Sequence, residues 1–455
     1  MRLDRNAPTP LYLQLYQQLR DDYAPQRAAQ RLWSIRKMAQ NLGVSKTTVE
    51  QAYEQLRAEG YVYTVPGSGY YYQDLQHWPA EIAPRQALPA FQPPATCRFD
   101  FRYGTTERLP ASWNAWKKAV REALRRAERT PDYYPNAQGL RALRDRLADF
   151  LKTTRGVSCD PEQIVITTDA KAGLSTLLSI LPAGTVGLEN PGYRGLSQLA
   201  TSFGHRPVQL PVTTTGVDLA AVVRQAPDVV YTTPAHQFPL GYTQPVGQRL
   251  ELLKWAAEQH KLIVEDDYDS EYRYNVHPLP ALQLLATADQ VAYLGTFSRG
   301  IDATLRMGYL VLPLHLVARY HQHYRYREAQ VAGLLQQAML TYFENGAYYR
   351  HLSRSRAVNR QKYQRVSQLL ATTPAITPIT TGAGLHLVVR IKGIEQAELL
   401  AALTKVDMRI YPLDSNWQAM PSHDYYLLGI AGLPLATLTA GVQRLIQVCE
   451  QLLAH

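Results

Sequence analysis

The feature that most constrains this chain is the alternation of short β-branched runs with amphipathic helical segments beyond residue 98. The runs are six or seven residues long and rich in Val, Ile, Leu and Thr, and segments such as VGQRLELLKWAAEQH separate them. Strands that alternate with helices pair in parallel, because each helix carries the chain back across the sheet. We therefore predict an α/β domain with a mostly parallel central sheet, whose strands include residues 163–168, 185–190, 228–233, 261–266 and 291–297.

A chain of 455 residues exceeds one ordinary core, and this length predicts two or three domains. The best candidate for a linker is DLQHWPAEIAPRQALPAFQPPATCR, because proline removes backbone donors and favours an extended, semi-rigid spacer. Its prolines are Pro79, Pro84, Pro89, Pro93 and Pro94. We predict a compact N-terminal domain over 1–73, a linker over 74–98 and a large domain over 99–455.

Charge and cysteine content indicate which kind of partner and which cellular compartment to expect. A net charge of +10 favours a polyanionic partner, and the longest apolar windows are too short and too interrupted to cross a membrane. The start, MRLDRNAPTP, has no apolar secretory segment, so we expect a cytoplasmic protein. Cys97, Cys159 and Cys449 form no CxxC pair, which argues against a disulfide framework and against a cysteine metal site.

The N-terminal domain has the pattern of three helices followed by a hairpin. Leu11, Leu15 and Leu19 recur at helical spacing, and WSIRKMAQNLGVSKTTVEQAYEQLRAEG divides into two helices at Gly43. Ser34 and Ser45 stand where each of these helices begins, so we predict that their hydroxyls cap the free backbone N–H groups. Four residues form the predicted buried stripe of the third helix: Val49, Ala52, Tyr53 and Leu56.

Short polar and basic residues at the front of the third helix predict a helix-turn-helix that reads the major groove of double-stranded DNA. The β-rich arms around Pro66-Gly67-Ser68-Gly69 predict a wing. A small helical bundle that binds protein is the alternative. The predicted DNA-contacting residues are Ser34, Arg36, Lys37, Ser45, Lys46, Thr47, Thr48, Gly67, Ser68 and Gly69.

Residues 10–73 resemble the winged helix of the GntR regulators. The resemblance rests on PLYLQLYQQLR, SIRKMAQNLGVSKTTVEQAYEQLRAEGY and GSGYYY. One departure is Trp33, which stands where the family usually has Pro in an LPSxR motif, whereas Ser34 and Arg36 are retained. The resemblance implies a DNA-binding transcription regulator.

The ends of the predicted strands carry the candidate ligand site, because ligands of open α/β sheets bind beyond the carboxyl ends of strands. KLIV runs into EDDYDSE (265–271), DVVYTT into PAHQFPLG, and QIVITT into DAKAG. A metal site is a weak alternative, since no histidine-rich partner accompanies these carboxylates, and we predict none. A solvated acidic loop is the stronger alternative.

Six motifs of the large domain resemble, in order, the aminotransferase-like domain of the MocR/GabR-type regulators: YYPNAQGLRALR, RGVSCDPEQIVITT, ENPGY, YTTPAHQFPLG, VEDDYDSEYRY and GTFSRGIDATLRMGYLVLP. The resemblance implies the type I fold of pyridoxal phosphate enzymes, with a small C-terminal α/β subdomain. In that family, the lysine of GTFSK forms a Schiff base with the cofactor.

The resemblance assigns roles to individual side chains. Asp266 would pair with the pyridinium nitrogen, Tyr268 and His236 would lie near the phenolic oxygen, and Tyr193 would lie against the ring. Arg306 and Ser298 would hold the phosphate, and Tyr134 would reach it from the other subunit of a homodimer.

The residue at the Schiff-base position is Arg299, and a guanidinium does not deprotonate to become a nucleophile. Asp169 and Lys171 flank Ala170 in DAKAG, where the family has Gly and Gln. Asp169 at a helix N-terminus would compete with a phosphate. We expect the cations Arg299 and Lys171 to pair with Asp169 and Asp302 inside the pocket. A Schiff base on Lys171 is an alternative that loses the required orientation.

These observations predict a transcription regulator that binds a double-stranded DNA operator as a homodimer and is not an enzyme. Its aminotransferase-like domain would serve dimerisation and the sensing of a small-molecule effector; a scaffold without a ligand, and an active pyridoxal-phosphate-dependent aminotransferase, are the alternatives. Pyridoxal 5'-phosphate would bind non-covalently, if at all. No arginine lies between Arg409 and Arg444, where relatives carry the residue that binds a substrate carboxylate. The basic helical stretch 348–365 is either a solvated face or an auxiliary DNA contact.

Overall fold

The computed structural model describes residues 2–23, 27–74, 97–128, 136–274, 280–287, 289–297, 301–379, 382–418 and 423–454. The chain forms two compact units, residues 1–94 and 95–455. The predicted linker falls largely on 75–96, outside the described residues. No helix in the described ranges is both long and apolar enough to cross a membrane.

The first unit contains three helices and a β-hairpin, as the sequence predicts. The helices are α1 (Leu11–Asp21), α2 (Ile35–Leu42) and α3 (Lys46–Ala58), and the antiparallel strands are β1 (Val62–Val65) and β2 (Gly69–Tyr72). Gly43 ends α2 with a φ of 63°, a left-handed conformation that glycine adopts without steric cost. The core includes Leu15 and Leu19 of α1 and the whole predicted stripe of α3.

The second unit begins with β3 (Phe99–Asp100) and contains an eight-stranded main sheet. The strands of that sheet are β4 (Ile164–Thr167), β5 (Thr185–Asn190), β6 (Arg206–Thr213), β7 (Gly216–Val217), β8 (Val229–Thr232), β9 (Leu262–Asp267), β10 (Val291–Thr296) and β11 (Gly308–Val311). Their order is β4-β11-β10-β9-β8-β5-β6-β7. The run from β10 to β6 is parallel throughout, and β4, β11 and β7 are antiparallel to their neighbours. The prediction of a mostly parallel sheet is confirmed.

Helices cover both faces of this sheet because successive side chains of a strand point to opposite faces. Ile164 and Ile166 pack with one set of helices, whereas Val165 between them packs with the other. The first set contains α4 (Pro110–Ala127), α5 (Arg141–Arg155), α12 (Gly333–Glu344) and the start of α13 (Ala347–Leu370), and the second contains α6 (Ala170–Ile180), α7 (Leu196–Ser202) and α11 (Leu314–His323). Helices α8 (Leu219–Gln225), α9 (Val246–Glu258) and α10 (Leu282–Leu285) cover the end that contains β6 and β8.

The C-terminal part forms the predicted smaller α/β subdomain. Its antiparallel sheet has the order β12-β13-β16-β15, and β14 pairs in parallel with β3. The elements are β12 (Thr377–Pro378), β13 (His386–Arg390), α14 (Gln396–Lys405), β14 (Met408–Arg409), β15 (Tyr411–Pro412), β16 (Tyr425–Gly429) and α15 (Leu435–Leu453). Short 3-10 helices occupy Pro161–Gln163, Ala303–Leu305 and Asp414–Asn416. The predicted basic helix is the body of α13, with its apolar face buried in the core and several arginines exposed.

Candidate functional site

Helix α3 of the first unit presents a polar, basic N-terminus to solvent. The Ser45 hydroxyl accepts a hydrogen bond from the Thr48 backbone N–H at 3.1 Å, which confirms the predicted cap. Lys46 and Thr47, on the first turn, are exposed, and Lys46 has no carboxylate partner among the described residues. Free N–H groups, hydroxyls and an uncompensated cation at a helix start are suited to contacts with phosphates and base edges.

Helix α2 adds a second basic edge. The Ser34 hydroxyl accepts from the Lys37 backbone N–H at 3.3 Å, so this predicted cap is also confirmed. Arg36 and Lys37 are exposed. The Lys37 ammonium lies 5.0 Å from the centre of the exposed Trp33 ring, a cation–π contact. Trp33, the departure from the family motif, therefore borders the cationic residues of α2.

The hairpin after α3 has the geometry of a wing. β1 and β2 are joined by a tight turn in which the Ser68 N–H donates to the Val65 carbonyl at 2.9 Å. Gly67 and Gly69 both have positive φ, 74° and 114°, conformations that a residue with a Cβ rarely adopts. Gly67 is exposed at the tip, with Ser68 and Gly69 half-buried beside it.

The large unit contains a cavity of about 320 Å³ at the carboxyl ends of β4, β5, β8 and β9, where the sequence predicts a ligand site. Aromatic rings form part of its wall, and charged and hydroxyl groups lie at its floor and at one corner. The lining residues are Tyr103, Gly104, Asp169, Ala170, Lys171, Leu174, Glu189, Tyr193, Leu196, Tyr231, Thr233, Phe238, Asp266, Tyr268, Thr296 and Arg306.

The floor is formed by buried carboxyl and hydroxyl groups. Asp266 is 9% exposed, and its carboxylate accepts a hydrogen bond from the Tyr231 hydroxyl. Glu189 accepts from the Thr232 and Thr233 hydroxyls at 2.6 and 2.7 Å, while its burial raises the pKa of the carboxyl. The acidic end of β9 is therefore buried, and the alternative of a solvated acidic loop is wrong.

His236 lies behind Tyr268 and does not line the cavity. The Tyr268 hydroxyl donates to the His236 carbonyl at 2.7 Å and lies 3.1 Å from Nδ1 of the same residue, and Asp269 lies 3.0 Å from that nitrogen. His236, Asp269 and His386 could together offer ligand atoms to a metal, all within 4.8 Å of one another. His236 Nδ1 and Asp269 already contact each other, and it is His236 that holds the Tyr268 hydroxyl.

The corner between β4 and α6 differs from the pairing that we predict from the sequence. Asp169 caps α6 by accepting from the Ala172 backbone N–H at 2.7 Å, and it forms an ion pair with Arg306. Arg306 has a φ of 47°, an unusual conformation for a non-glycine residue. Asp302 pairs with Arg108 and does not line the cavity.

Lys171 makes a third contact that the sequence does not predict. Its ammonium lies 5.1 Å from the centre of the exposed Tyr193 ring, at the cavity wall. The expectation that Lys171 pairs with Asp169 or Asp302 is therefore wrong: geometry brings Arg306 to Asp169, although the two residues are 137 positions apart. Tyr134, Ser298 and Arg299, three of the residues named from the resemblance, lie outside the described residues.

Several lining residues escape the sequence analysis. Glu189 is in the quoted motif ENPGY, and its position at the end of a buried strand is a signal that could have identified it. Tyr231 points inward from β8, but no sequence pattern distinguishes it from a core tyrosine. Tyr103 and Gly104 come from the segment after β3, which reaches the cavity only through tertiary packing.

The C-terminal subdomain packs behind two aromatic residues of the cavity and supplies none of the lining residues named above. Leu427 of β16 packs in a cluster that also contains Phe238 and Tyr268, which line the cavity. This is the strand in which the sequence offers no arginine for a substrate carboxylate. The structure therefore shows a hydrophobic contact where that ion pair would be sought.

Comparison with known proteins agrees with this two-part architecture. Residues 11–71 match the family model of bacterial regulatory proteins, gntR family, and residues 102–414 match that of aminotransferase class I and II. The chain is similar to three curated regulators over most of their lengths. It is 31% identical to the uncharacterized HTH-type transcriptional regulator YhdI of Bacillus subtilis, covering 97% of this chain and 96% of that protein.

The second of these relatives is the probable rhizopine catabolism regulatory protein MocR of Rhizobium meliloti, 30% identical over 97% of this chain and 94% of the relative. The third is the pyridoxine biosynthesis regulator PdxR of Corynebacterium glutamicum, 34% identical over 85% and 84%. Among solved structures, the kynurenine aminotransferase of Pyrococcus horikoshii superposes with a TM-score of 0.69 at 20% identity, covering 79% of this chain and 92% of that one. This likeness shows the fold of the large unit.

Proposed function

Because the chain belongs to the HTH-type transcription regulators that join a GntR-family DNA-binding domain to an aminotransferase class I and II domain, as MocR and PdxR do, we propose that its large domain senses an effector and does not catalyse transamination. The observation that carries this proposal is the cavity itself. The cavity has a buried floor of acidic and aromatic side chains. At the corner beside α6, where a ligand anion would bind, Asp169 and Arg306 form an ion pair with each other.

Loss of catalysis is supported by the chemistry of the available nucleophiles. Covalent attachment of an aldehyde cofactor requires a neutral amine, and the sequence has Arg299 where the family has its lysine. Lys171 is the one lysine among the described residues that line the cavity, and its ammonium contacts the Tyr193 ring. The orientation that covalent catalysis needs is therefore not supplied by Lys171.

The described residues do not fit pyridoxal phosphate as a whole. Asp266, Tyr268 and Tyr193 suit a pyridine ring, but the Asp169 carboxylate lies against the guanidinium that would hold the phosphate. The negative charge of a bound phosphate would be repelled by the negative charge of the Asp169 carboxylate. The proposed sensor is consequently not built on that cofactor in its usual binding mode.

Covalent attachment is tested by incubating the full-length protein with pyridoxal phosphate, reducing with borohydride and mapping modified peptides. We expect no reduced adduct at Lys171. An Arg299→Lys variant in parallel shows whether a lysine at that position restores attachment. A stoichiometric adduct together with amino-group transfer by the unaltered protein would contradict the proposal and favour an active aminotransferase.

For DNA recognition we propose that a homodimer places two α3 helices in successive major grooves, with the wings on the flanking backbone. A two-fold dimer reads half-sites separated by whole turns of the double helix. In vitro selection from a random DNA library with the full-length protein should enrich paired half-sites, and light scattering should give the mass of two chains. Enrichment of single half-sites by a monomer would refute this arrangement.

Sensing is tested by linkage between the two sites. An effector that binds the cavity should raise the melting temperature of the protein through mass action. If it regulates, the factor by which it changes DNA affinity must equal the factor by which DNA changes its own affinity. A ligand that stabilises the protein but leaves the affinity for the selected DNA unchanged would favour the scaffold alternative.

A further inference from the structure

The corner of the cavity beside α6 already contains an anion that the chain supplies. Asp169 accepts from the Ala172 N–H at the N-terminus of this eleven-residue helix and pairs with Arg306. The positive end of a helix and a guanidinium are the two groups that attract a ligand's phosphate. Since Asp169 engages both, a phosphate ester, with a charge of about −1.5 to −2 near neutral pH, would meet a carboxylate there.

Lys171 does not restore an anion site at this corner. Its side chain is exposed and lies over Tyr193, so its charge is largely screened by solvent. An exposed lysine on a flexible stem contributes little to a specific ion pair. The charge of the corner is therefore balanced without a ligand.

The floor of the cavity, away from α6, contains carboxyl groups. The Asp266 carboxylate is almost fully buried, and Glu189 places a second carboxyl group in the same floor. Tyr193, Phe238 and Tyr268 surround the space with aromatic rings, whose faces attract cations. A buried carboxylate among aromatic rings favours a flat ligand whose protonated nitrogen approaches the carboxylate.

We propose that the cavity binds an aromatic nitrogen base with a protonated ring nitrogen and no phosphate group, Asp169 standing in for the phosphate that related pockets hold. The inference rests on the proposed sensor function and names the ligand class of the same cavity. A volume of about 320 Å³ suits a single substituted ring.

The test uses pyridoxine and pyridoxine 5'-phosphate, which share one ring, differ by the phosphate and cannot attach to lysine. Calorimetric titration of the full-length protein should give at least about tenfold tighter binding of pyridoxine, because the phosphate faces the Asp169 carboxylate. In an Asp169→Asn variant the preference should reverse. Asparagine caps a helix as well as aspartate does, so the variant keeps α6 while releasing Arg306.

Two further variants separate the charge of Asp169 from a general effect on the fold. Asp218→Asn removes a capping carboxylate from α8, which accepts from the Ala220 N–H at 2.9 Å, and should leave the preference unchanged. Asp266→Asn should weaken pyridoxine binding about tenfold or more without restoring phosphate binding. Thermal melts of all variants report whether each one is folded.

Equal or tighter binding of the phosphate ester by the unaltered protein would overturn the proposal, and so would an unchanged preference in Asp169→Asn. Binding of neither probe to either protein would also overturn it, since the ligand class would then be wrong. The adduct and linkage tests of the sensor function do not involve Asp169. Their success alongside failure here would therefore reject the ligand class alone.

Discussion

The buried Glu265 provides a sharp test of the electrostatics beneath the candidate site. This residue of β9 has no exposed surface, and its carboxylate accepts from the Gln283 N–H at 3.2 Å. Burial, reinforced by the negative charge of Asp267, raises its pKa from 4.5 to about 7, although the nearby Arg249 opposes the shift. Replacing Glu265 by glutamine removes the ionisation while nearly preserving the shape.

The sign of the effect follows from proton binding in the two states. Between pH 4.5 and about 7, folded Glu265 retains a proton that the unfolded chain has lost, so its contribution to the free energy of unfolding falls as pH rises. The displacement from 4.5 to about 7 corresponds to about 3 kcal/mol in total. Between pH 5 and pH 8, about 2.5 kcal/mol of this should appear.

Urea unfolding of Glu265→Gln and of the unaltered protein at pH 5 and pH 8 measures this contribution. The variant should gain about 2.5 kcal/mol relative to the unaltered protein on going from pH 5 to pH 8. Glu251→Gln, on the exposed face of α9, is the matched control and should show no such gain. An equal stability difference at both pH values for Glu265→Gln would refute the reasoning that burial holds this carboxyl in its protonated form.

Three other changes test the DNA interface, the buried charges and the support of Tyr268. Lys46→Ala should weaken DNA binding and reduce the slope of log affinity against log salt by about 0.9; an unchanged slope would place Lys46 away from phosphates. Arg155→Met should cost about 3–5 kcal/mol by leaving Asp267 buried without its cation, and adding Asp267→Asn should recover most of it in chemical unfolding. Gly384→Ala should lower the melting temperature, because the new Cβ would lie 2.0 Å from the His236 ring; an unaltered melt would show that the ring can move.

The elements predicted with success depend on local sequence. The sequence predicts Ser34 and Ser45 as caps because a cap contacts N–H groups within three residues, and both contacts are present. The stripe of α3 and the strands of the main sheet follow from periodicity, which burial on one or both faces imposes on neighbouring residues. The order of the domains likewise follows from composition along the chain.

The charged corner could not be predicted in the same way. We expect Lys171 to pair with Asp169 or Asp302 because buried opposite charges attract, but the sequence does not show which of these side chains face each other. Arg306 reaches Asp169 because β4 and β11 are adjacent strands, which brings residues 137 positions apart to the same edge. Packing decides the order of the strands, and the residues around β4 or around β11 do not by themselves show that the two strands are neighbours.

Local sequence thus specifies the helices of the DNA-binding domain, the strands of the main sheet and the presence of an arginine at position 299, because each depends on neighbouring residues or on residue identity. Three-dimensional packing alone assigns Arg306 to Asp169, Tyr231 to Asp266 and Tyr103 to the cavity wall. The reason is that a buried charge or hydroxyl takes as its partner whichever group the fold brings within hydrogen-bonding distance, however far away that group lies in the chain.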